Sequence, residues 1–285
     1  MKNVRPLERP PSLPLLYARA LATARGRRGD RLPETVYALD ARAEPDGLAA
    51  YDDVCGFRLR DTLPATFPHV LAFPLAMQLM TEADFPFPLP GLVHIANRIL
   101  QRRALRLGEP LALRVWAENL RPHPRGRQFE IVAEARTGAE VAWRDESTYL
   151  RIERRRSTEA RPEADEQKLP QRQSAIWRIP AGVGRRYAAV SGDSNPIHLN
   201  PWLARLFGFK SAIAHGMWLK ARALAALEGR LPDALEVEVE FRSPVLLPSR
   251  VVFAAAEEGA GWRFALRDPE GKRIHLVGAA KASSR

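Results

Sequence analysis

Three spaced signatures in the first half of this 285-residue chain recur in its second half, in the same order. Tyr51-x-x-Val54-Cys55-Gly56 matches Tyr187-x-x-Val190-Ser191-Gly192 at an offset of 136 residues. Val93-x-Ile95-x-x-Arg98 matches Val237-x-Val239-x-x-Arg242 at 144, and Gly126-x-x-Phe129 matches Gly261-x-x-Phe264 at 135. Offsets that drift so little mark a repeated structural unit. Each copy must then hold the same elements, so the chain reads as two tandem α+β units that can pair their sheets.

The local patterning agrees. In the first copy, apolar alternation predicts strands over residues 34–39, 92–99, 111–119, 128–137 and 141–152, with turns at Gly108, Gly126 and Gly138. Helices are predicted over 45–54 and 65–81. The run Phe85-Pro86-Phe87-Pro88-Leu89-Pro90 must be loop, because successive prolines lack the N–H donors that helix or sheet would use. In the second copy, strand 175–179 and helix 181–191 lead to a helix over 214–228 that is apolar almost all round and therefore buried. Strands follow over 235–242, 250–256, 262–267 and 272–280. The expected division is a basic N-terminal extension (1–31), a first unit (32–153), a charged linker opening on Arg154-Arg155-Arg156 (154–173), and a second unit (174–285).

Charge narrows the partners. The chain carries 44 Lys and Arg against 33 acids, a formal +11. Eight of those cations and only two acids fall in residues 1–31, so over half of the excess sits in the extension. That arm is expected to wrap the surface, with one short amphipathic helix over 15–23. Its apolar run, Leu13 to Ala18, is broken by Pro14 and closed by Arg19, too short for a membrane span or a secretory core. Binders of single-stranded nucleic acid interleave cations with stacking aromatics, and the arm offers only Tyr17, so no nucleic-acid role is expected. A single cysteine, Cys55, excludes an intramolecular disulfide framework and suits a reducing, cytoplasmic compartment. The six histidines form no H-x-x-x-H pair, so no metal is expected.

The copies differ where chemistry would reside. After the shared glycine, the second continues Asp193-Ser194-Asn195-Pro196-Ile197-His198, whereas the first continues Phe57-Arg58-Leu59-Arg60-Asp61-Thr62. By direct count Phe57 and Thr62 stand in for Asp193 and His198. Asn195-Pro196 favours a turn, which can aim the carboxylate and the imidazole at one point for proton transfer. Further on, Gly216 opens the buried helix, whose first N–H groups would face a developing negative charge. Ser191 reads as a small packing residue, since no histidine is placed to activate it and Cys55 fills the equivalent spot. His215, near the expected pocket, reads as structural, and His69, His94, His123 and His275 have no assigned role.

Tyr187-x-x-Val190-Ser191-Gly192-Asp193-x-Asn195-Pro196-x-His198, followed by Ala214-His215-Gly216-Met217, resembles the hydratase motif of the MaoC-like, R-specific enoyl-thioester hydratases and dehydratases. Phe67-Pro68, Phe73-Pro74, the proline-rich loop and Val93-His94 are similar to the degenerate first half of the double hot-dog members of that family. The resemblance runs from about residue 30 to 282. It implies a double hot-dog fold, two long antiparallel sheets each wrapped around a central helix. It also implies reversible syn dehydration of a (3R)-3-hydroxyacyl thioester, without metal or redox cofactor. Coenzyme A or acyl carrier protein would enter only as part of the substrate.

On that reading Asp193 and His198 do the proton work, in an order left open. Gly216 supplies a backbone N–H to the thioester oxygen, and Asn195 fixes the loop or a water. Leu75 and Met77, on the apolar helix of the first copy, are candidates for an acyl pocket. A hot-dog thioesterase and a non-catalytic acyl-thioester binding protein are the alternatives, and a homodimer stays open.

Overall fold

The computed structural model describes residues 2–23, 27, 29–153, 169–170 and 172–283. The charged linker expected over 154–173 falls almost wholly outside those residues. In chain order the elements of the first half are β1 (Asn3–Leu7), α1 (Leu13–Ala22), β2 (Thr35–Ala41), α2 (Pro45–Cys55), α3 (Phe67–Thr81), β3 (Leu92–Gln101), β4 (Leu111–His123), β5 (Gly126–Thr137) and β6 (Glu140–Ile152). The second half has β7 (Gln173–Ile179), α4 (Val183–Ser191), α5 (Pro196–Leu199), α6 (Pro201–Leu206), α7 (Gly216–Ala226), β8 (Leu235–Phe241), β9 (Ser249–Glu258), β10 (Gly261–Arg267) and β11 (Ile274–Ala282).

All the described strands join one sheet, ordered β1-β2-β4-β5-β6-β3-β8-β11-β10-β9-β7. Around the β3–β8 junction the order is a mirror. Reading outward, β3-β6-β5-β4-β2 answers β8-β11-β10-β9-β7, each half an antiparallel sheet of five strands. This is the double hot-dog. In the first half α3 packs on β2, β4 and β5 as the central helix, its Leu75, Met77, Leu79 and Met80 fully enclosed. In the second half α7 is buried by Met217, Trp218, Leu219, Ala221, Ala223 and Leu224.

The junction is fastened by polar groups as well as by the β3–β8 ladder. Lys220 of α7 is wholly buried and donates to the Val237 carbonyl (3.1 Å) and to the Asn97 side chain. Asn97 donates in turn to Asp145 Oδ1 (2.9 Å), whose other oxygen meets His69 Nδ1 at 2.9 Å. A buried cation survives only with such partners. Burial still pulls the Lys220 ammonium down to about 7, against the opposing pull of Asp145.

The basic extension departs from its expected role as a mere wrap. β1 adds to the sheet edge in parallel with β2. Helix α1 buries Leu16 and Ala20, and Arg27 donates to the Met80 (3.1 Å) and Thr81 (2.8 Å) carbonyls, capping the end of α3. A cation there also suits the negative end of the helix dipole. Two short helices, α5 and α6, occupy the stretch read as a turn.

Candidate active site

Helix α4 ends on Gly192, whose φ of 75° is left-handed and natural only for glycine. That turn sends Asp193 away from the helix axis. The Asp193 N–H donates to Ser191 Oγ (3.2 Å), which gives the buried serine a structural task, and the Asn195 N–H donates to Asp193 Oδ1 (3.2 Å). Asn195 then caps α5, its Oδ1 accepting from the Ile197 N–H at 3.3 Å, with Pro196 in the first helical position. Asn195 therefore fixes the loop. Asn200-Pro201 repeats the device for α6, with Asn200 Oδ1 accepting from Trp202 N at 2.8 Å.

His198 sits on α5 with its backbone pressed against α4. A Cβ on Gly184 would lie 2.0 Å from the His198 carbonyl oxygen, so only glycine permits this seat. The His198 ring stacks on that of His215, with centroids 3.7 Å apart. His198 Nδ1 lies 2.8 Å from the Ile213 carbonyl and His215 Nε2 lies 2.9 Å from the Asp193 carbonyl. A carbonyl only accepts, so both nitrogens donate, which sets both tautomers. In the neutral rings the lone pairs are therefore on His198 Nε2 and His215 Nδ1.

One donor atom each from Asp193, His198 and His215 lies within 4.8 Å of the others, the one grouping of three metal-capable side chains among the described residues. One nitrogen of each imidazole is already committed to a carbonyl, so a cation there would draw on a single nitrogen from each ring and on the carboxylate.

Charge states follow from burial and neighbours. Burial pushes the Asp193 carboxyl up, but the His215 and His198 imidazoles and the Asn195 N–H outweigh it and hold Asp193 below the ordinary carboxylate value. Burial holds His198 below the ordinary imidazole value despite the opposing pull of Asp193. His215 falls to about 3, from burial first and His198 second. The resting site is a carboxylate beside two neutral imidazoles.

Gly216 begins α7 directly after His215, and the first intrahelical bond to form, Leu219 N–H to the His215 carbonyl (3.1 Å), leaves the preceding N–H groups outside the helical ladder. A Cβ on Gly216 would stand 3.0 Å from the Phe241 ring. The missing side chain is thus explained by Phe241, and close approach of substrate is not needed to account for it. Phe241 packs edge-on to His94, which stacks on Tyr149 at 4.7 Å, so the first-half sheet borders the same place. A bulge in β3 between His94 and Ala96 interrupts the ladder there.

Tyr17 was not foreseen as a site residue. Its hydroxyl accepts the Ser194 N–H (2.7 Å) and lies within donating distance of the Gly192 carbonyl (3.2 Å) and of Asp193 Oδ1 (3.4 Å). Burial and the neighbouring Asp193 raise its pKa, so it stays a neutral phenol. Leu13, one helical turn earlier, covers Gly192 together with Phe73 of α3. The arm therefore closes over the loop that carries Asp193. Leu75 and Met77, both on α3, are enclosed in the core, and Phe73 is the residue of that helix that reaches Gly192.

Residues 166–278 match the family model described as MaoC like domain. The chain is 41% identical over 270 residues to 3-hydroxyacyl-thioester dehydratase X of Mycobacterium tuberculosis, an alignment covering 94% of this chain and 96% of that one. The crystal structure of HtdX from the same organism superposes with a TM-score of 0.77 at 38% identity, covering 87% of this chain and all of that one. A shorter stretch of 92 residues is 33% identical to the mitochondrial 3-hydroxyacyl-[acyl-carrier-protein] dehydratase of Arabidopsis thaliana, 32% of this chain and 52% of that protein.

Proposed function

The chain belongs to the MaoC-like 3-hydroxyacyl-thioester dehydratases, and from that premise we propose that it reversibly removes water from (3R)-3-hydroxyacyl thioesters to give trans-2-enoyl thioesters, with Asp193 and His198 as the catalytic pair. The observation that carries the assignment is the hydrogen bond from His198 Nδ1 to the Ile213 carbonyl (2.8 Å). It leaves Nε2 as the base of a neutral ring, one of whose nitrogens lies within 4.8 Å of an Asp193 carboxylate oxygen.

In the dehydration direction His198 Nε2 takes the C2 proton. The electron pair of that C–H bond becomes the C2–C3 double bond as the C3–O bond breaks. Asp193 accepts a hydrogen bond from the C3 hydroxyl and stabilises the imidazolium that forms. In a syn elimination both leaving groups lie on one face of the substrate, so Nε2 can return its proton to the departing hydroxyl, which leaves as water. Protons and electrons balance within substrate and pair, so we assign no metal or redox cofactor. Negative charge on the thioester oxygen is met by the Gly216 N–H at the start of α7, the arrangement with the largest effect in acyl chemistry. Tyr17 acts as a positioning residue, holding Ser194 and the Asp193 carboxylate in place. Leu75 and Met77 remain the proposed wall of an acyl pocket.

The test is hydration of crotonyl thioester followed at the enoyl absorbance. The wild-type chain should consume the enoyl band without releasing free thiol, and folded His198→Ala should not. Thiol release with the enoyl band intact would point to a thioesterase and overturn the reading.

A further inference from the structure

The segment that carries His198 also carries an apolar face that the core does not need. On α6 the only buried residue is Ala204, while Trp202 is 72% exposed, Leu206 80% and Leu203 42%, and Phe207, which caps the helix, is 44% exposed. Trp202 and Leu206 stand one turn apart, as do Leu203 and Phe207, so the four form one continuous patch. Contiguous exposed apolar surface of this kind marks an interaction site more often than chance. It begins four residues after His198.

The rim is cationic. Arg205 lies over the Trp202 ring at 4.6 Å and donates to the Lys210 carbonyl (3.4 Å). Arg185 on α4 donates to the Leu199 carbonyl at 3.5 Å. Among the described residues no carboxylate pairs with Arg185, Arg205 or Lys210, and the sequence holds no acid between Asp193 and Glu228. In a two-fold contact a second copy of this chain would bring the same cations to the same place and be repelled. Helix α6 has six residues, too few turns to lie along a membrane surface by its apolar face. An acidic partner meets both features, apolar contact at the centre and charge at the rim.

We propose that Trp202, Leu203, Leu206 and Phe207, with Arg185, Arg205 and Lys210 around them, dock an acidic carrier protein that presents the acyl thioester to Asp193 and His198. This rests on the dehydratase reading and names the form in which its substrate arrives. Tryptophan and arginine are among the residues that most often carry the binding energy of protein contacts. Docking here would place the thioester arm beside the helix that holds the catalytic imidazole.

The experiment compares crotonyl thioester on an acidic acyl carrier protein with crotonyl-coenzyme A, using wild type, Leu206→Glu and Trp202→Ser. These side chains are exposed, so the fold should tolerate both changes, checked by melting temperature. Apolar positions are chosen because the phosphates of coenzyme A could also use the arginines. The expected result is a loss of roughly 10- to 100-fold in kcat/KM on the carrier, mainly through KM, with the coenzyme A substrate within about twofold of wild type. Equal losses on both substrates would overturn the docking and make the patch a support for His198. Carrier turnover left intact in both variants would overturn it as well, and so would such a result accompanied by lost binding to anionic vesicles, which would reassign the patch to a membrane surface. A wild-type chain active on coenzyme A alone would refute the docking while sparing the reaction. Inactivity on both thioesters would overturn the dehydratase reading itself.

Discussion

The first half passes from its left-handed glycine, Gly56, to Thr62 in six residues, whereas the second takes 21 to pass from Gly192 to Ile213. The end points are equivalent. Thr62 bridges Arg106 as Ile213 bridges Leu246. On either side, Leu63 N–H donates to the Leu105 carbonyl (2.8 Å) as Ala214 N–H does to Val245 (2.9 Å), and Leu107 N–H donates to Asp61 (2.7 Å) as Leu247 N–H does to Ala212 (2.8 Å). The direct count that placed Thr62 opposite His198 is therefore wrong, because His198 lies in a segment with no counterpart in the first half. Over Gly56 the place is filled by the Arg222 guanidinium, 3.0 Å from where a Cβ would stand, whereas over Gly192 it is filled by Leu13 and Phe73. The segment that carries His198 is an extra length of chain in the second copy, and Leu13, Tyr17 and Phe73 of the first half pack over its start.

The largest effect should come from breaking the pair that distinguishes the halves. His198→Ala and Asp193→Asn should each lower turnover by about two to four orders of magnitude with folding preserved. The double variant should be little worse than either, since the two act as a unit. Additive losses in steady-state kinetics would show two independent roles.

Gly184→Ala removes no reacting group but drives a methyl into the His198 backbone, which must shift. Displacing a catalytic group by about 1 Å can cost on the order of 100-fold, so kcat should fall by that scale while crotonyl thioester binding changes less. A variant with unchanged kcat would mean that α5 is not held by α4.

Tyr17→Phe tests how far the arm belongs to the site. Losing one hydrogen bond to a charged group costs about 1.5–3 kcal/mol, so a drop in kcat on the order of 10- to 100-fold is expected, with KM for a short thioester unaltered. A donor lost from an ionised acid raises its pKa, so the Asp193 limb of the pH profile should move upward. Deleting residues 1–28 should cost at least as much, and full activity in the deletion would return the arm to a surface wrap.

A milder effect is expected with pH in the wild type. Activity requires neutral His198, so it is lost as pH falls through the His198 pKa. Burial places that limb below the ordinary imidazole value of 6.5. A limb at or above 6.5 in kcat/KM would show that Asp193 dominates over burial.

The smallest expected change concerns the wall of the first half. Large apolar substitutions at Leu75 or Met77 should lower kcat/KM for long enoyl thioesters and spare crotonyl thioester. Equal losses, or a fall in melting temperature that accounts for both, would leave α3 as scaffold.

Much of this was legible in the residues. The repeat signatures fall on structurally paired places: Tyr51 and Tyr187 sit 6.2 Å apart between α2 and α4, and Gly56 and Gly192 end those helices with φ of 79° and 75°. Asp193, His198 and His215 each bring one ligand atom within 4.8 Å of the others, and His215, which reads as structural in the sequence, binds the loop and stacks on His198. Other features stayed hidden for physical reasons. Asn-Pro signals a turn but is also the cap and first residue of a helix, and that ambiguity conceals α5 and α6 in the sequence. Tyr17 lies 176 residues from Asp193, and no periodicity reports a contact made only by tertiary packing. Gly184 looked like an ordinary helical glycine until the chain laid His198 across it.

In the proposed reaction one face of one site handles both protons, since Asp193 and His198 come from one short segment of chain and lie within 4.8 Å of each other. Hydration of crotonyl thioester in deuterated water, with the 3-hydroxybutyryl product analysed by proton NMR, tests it directly. The expected product is the (3R) alcohol with deuterium added to C2 on the same face as the oxygen. Anti addition, or the (3S) alcohol, would contradict it.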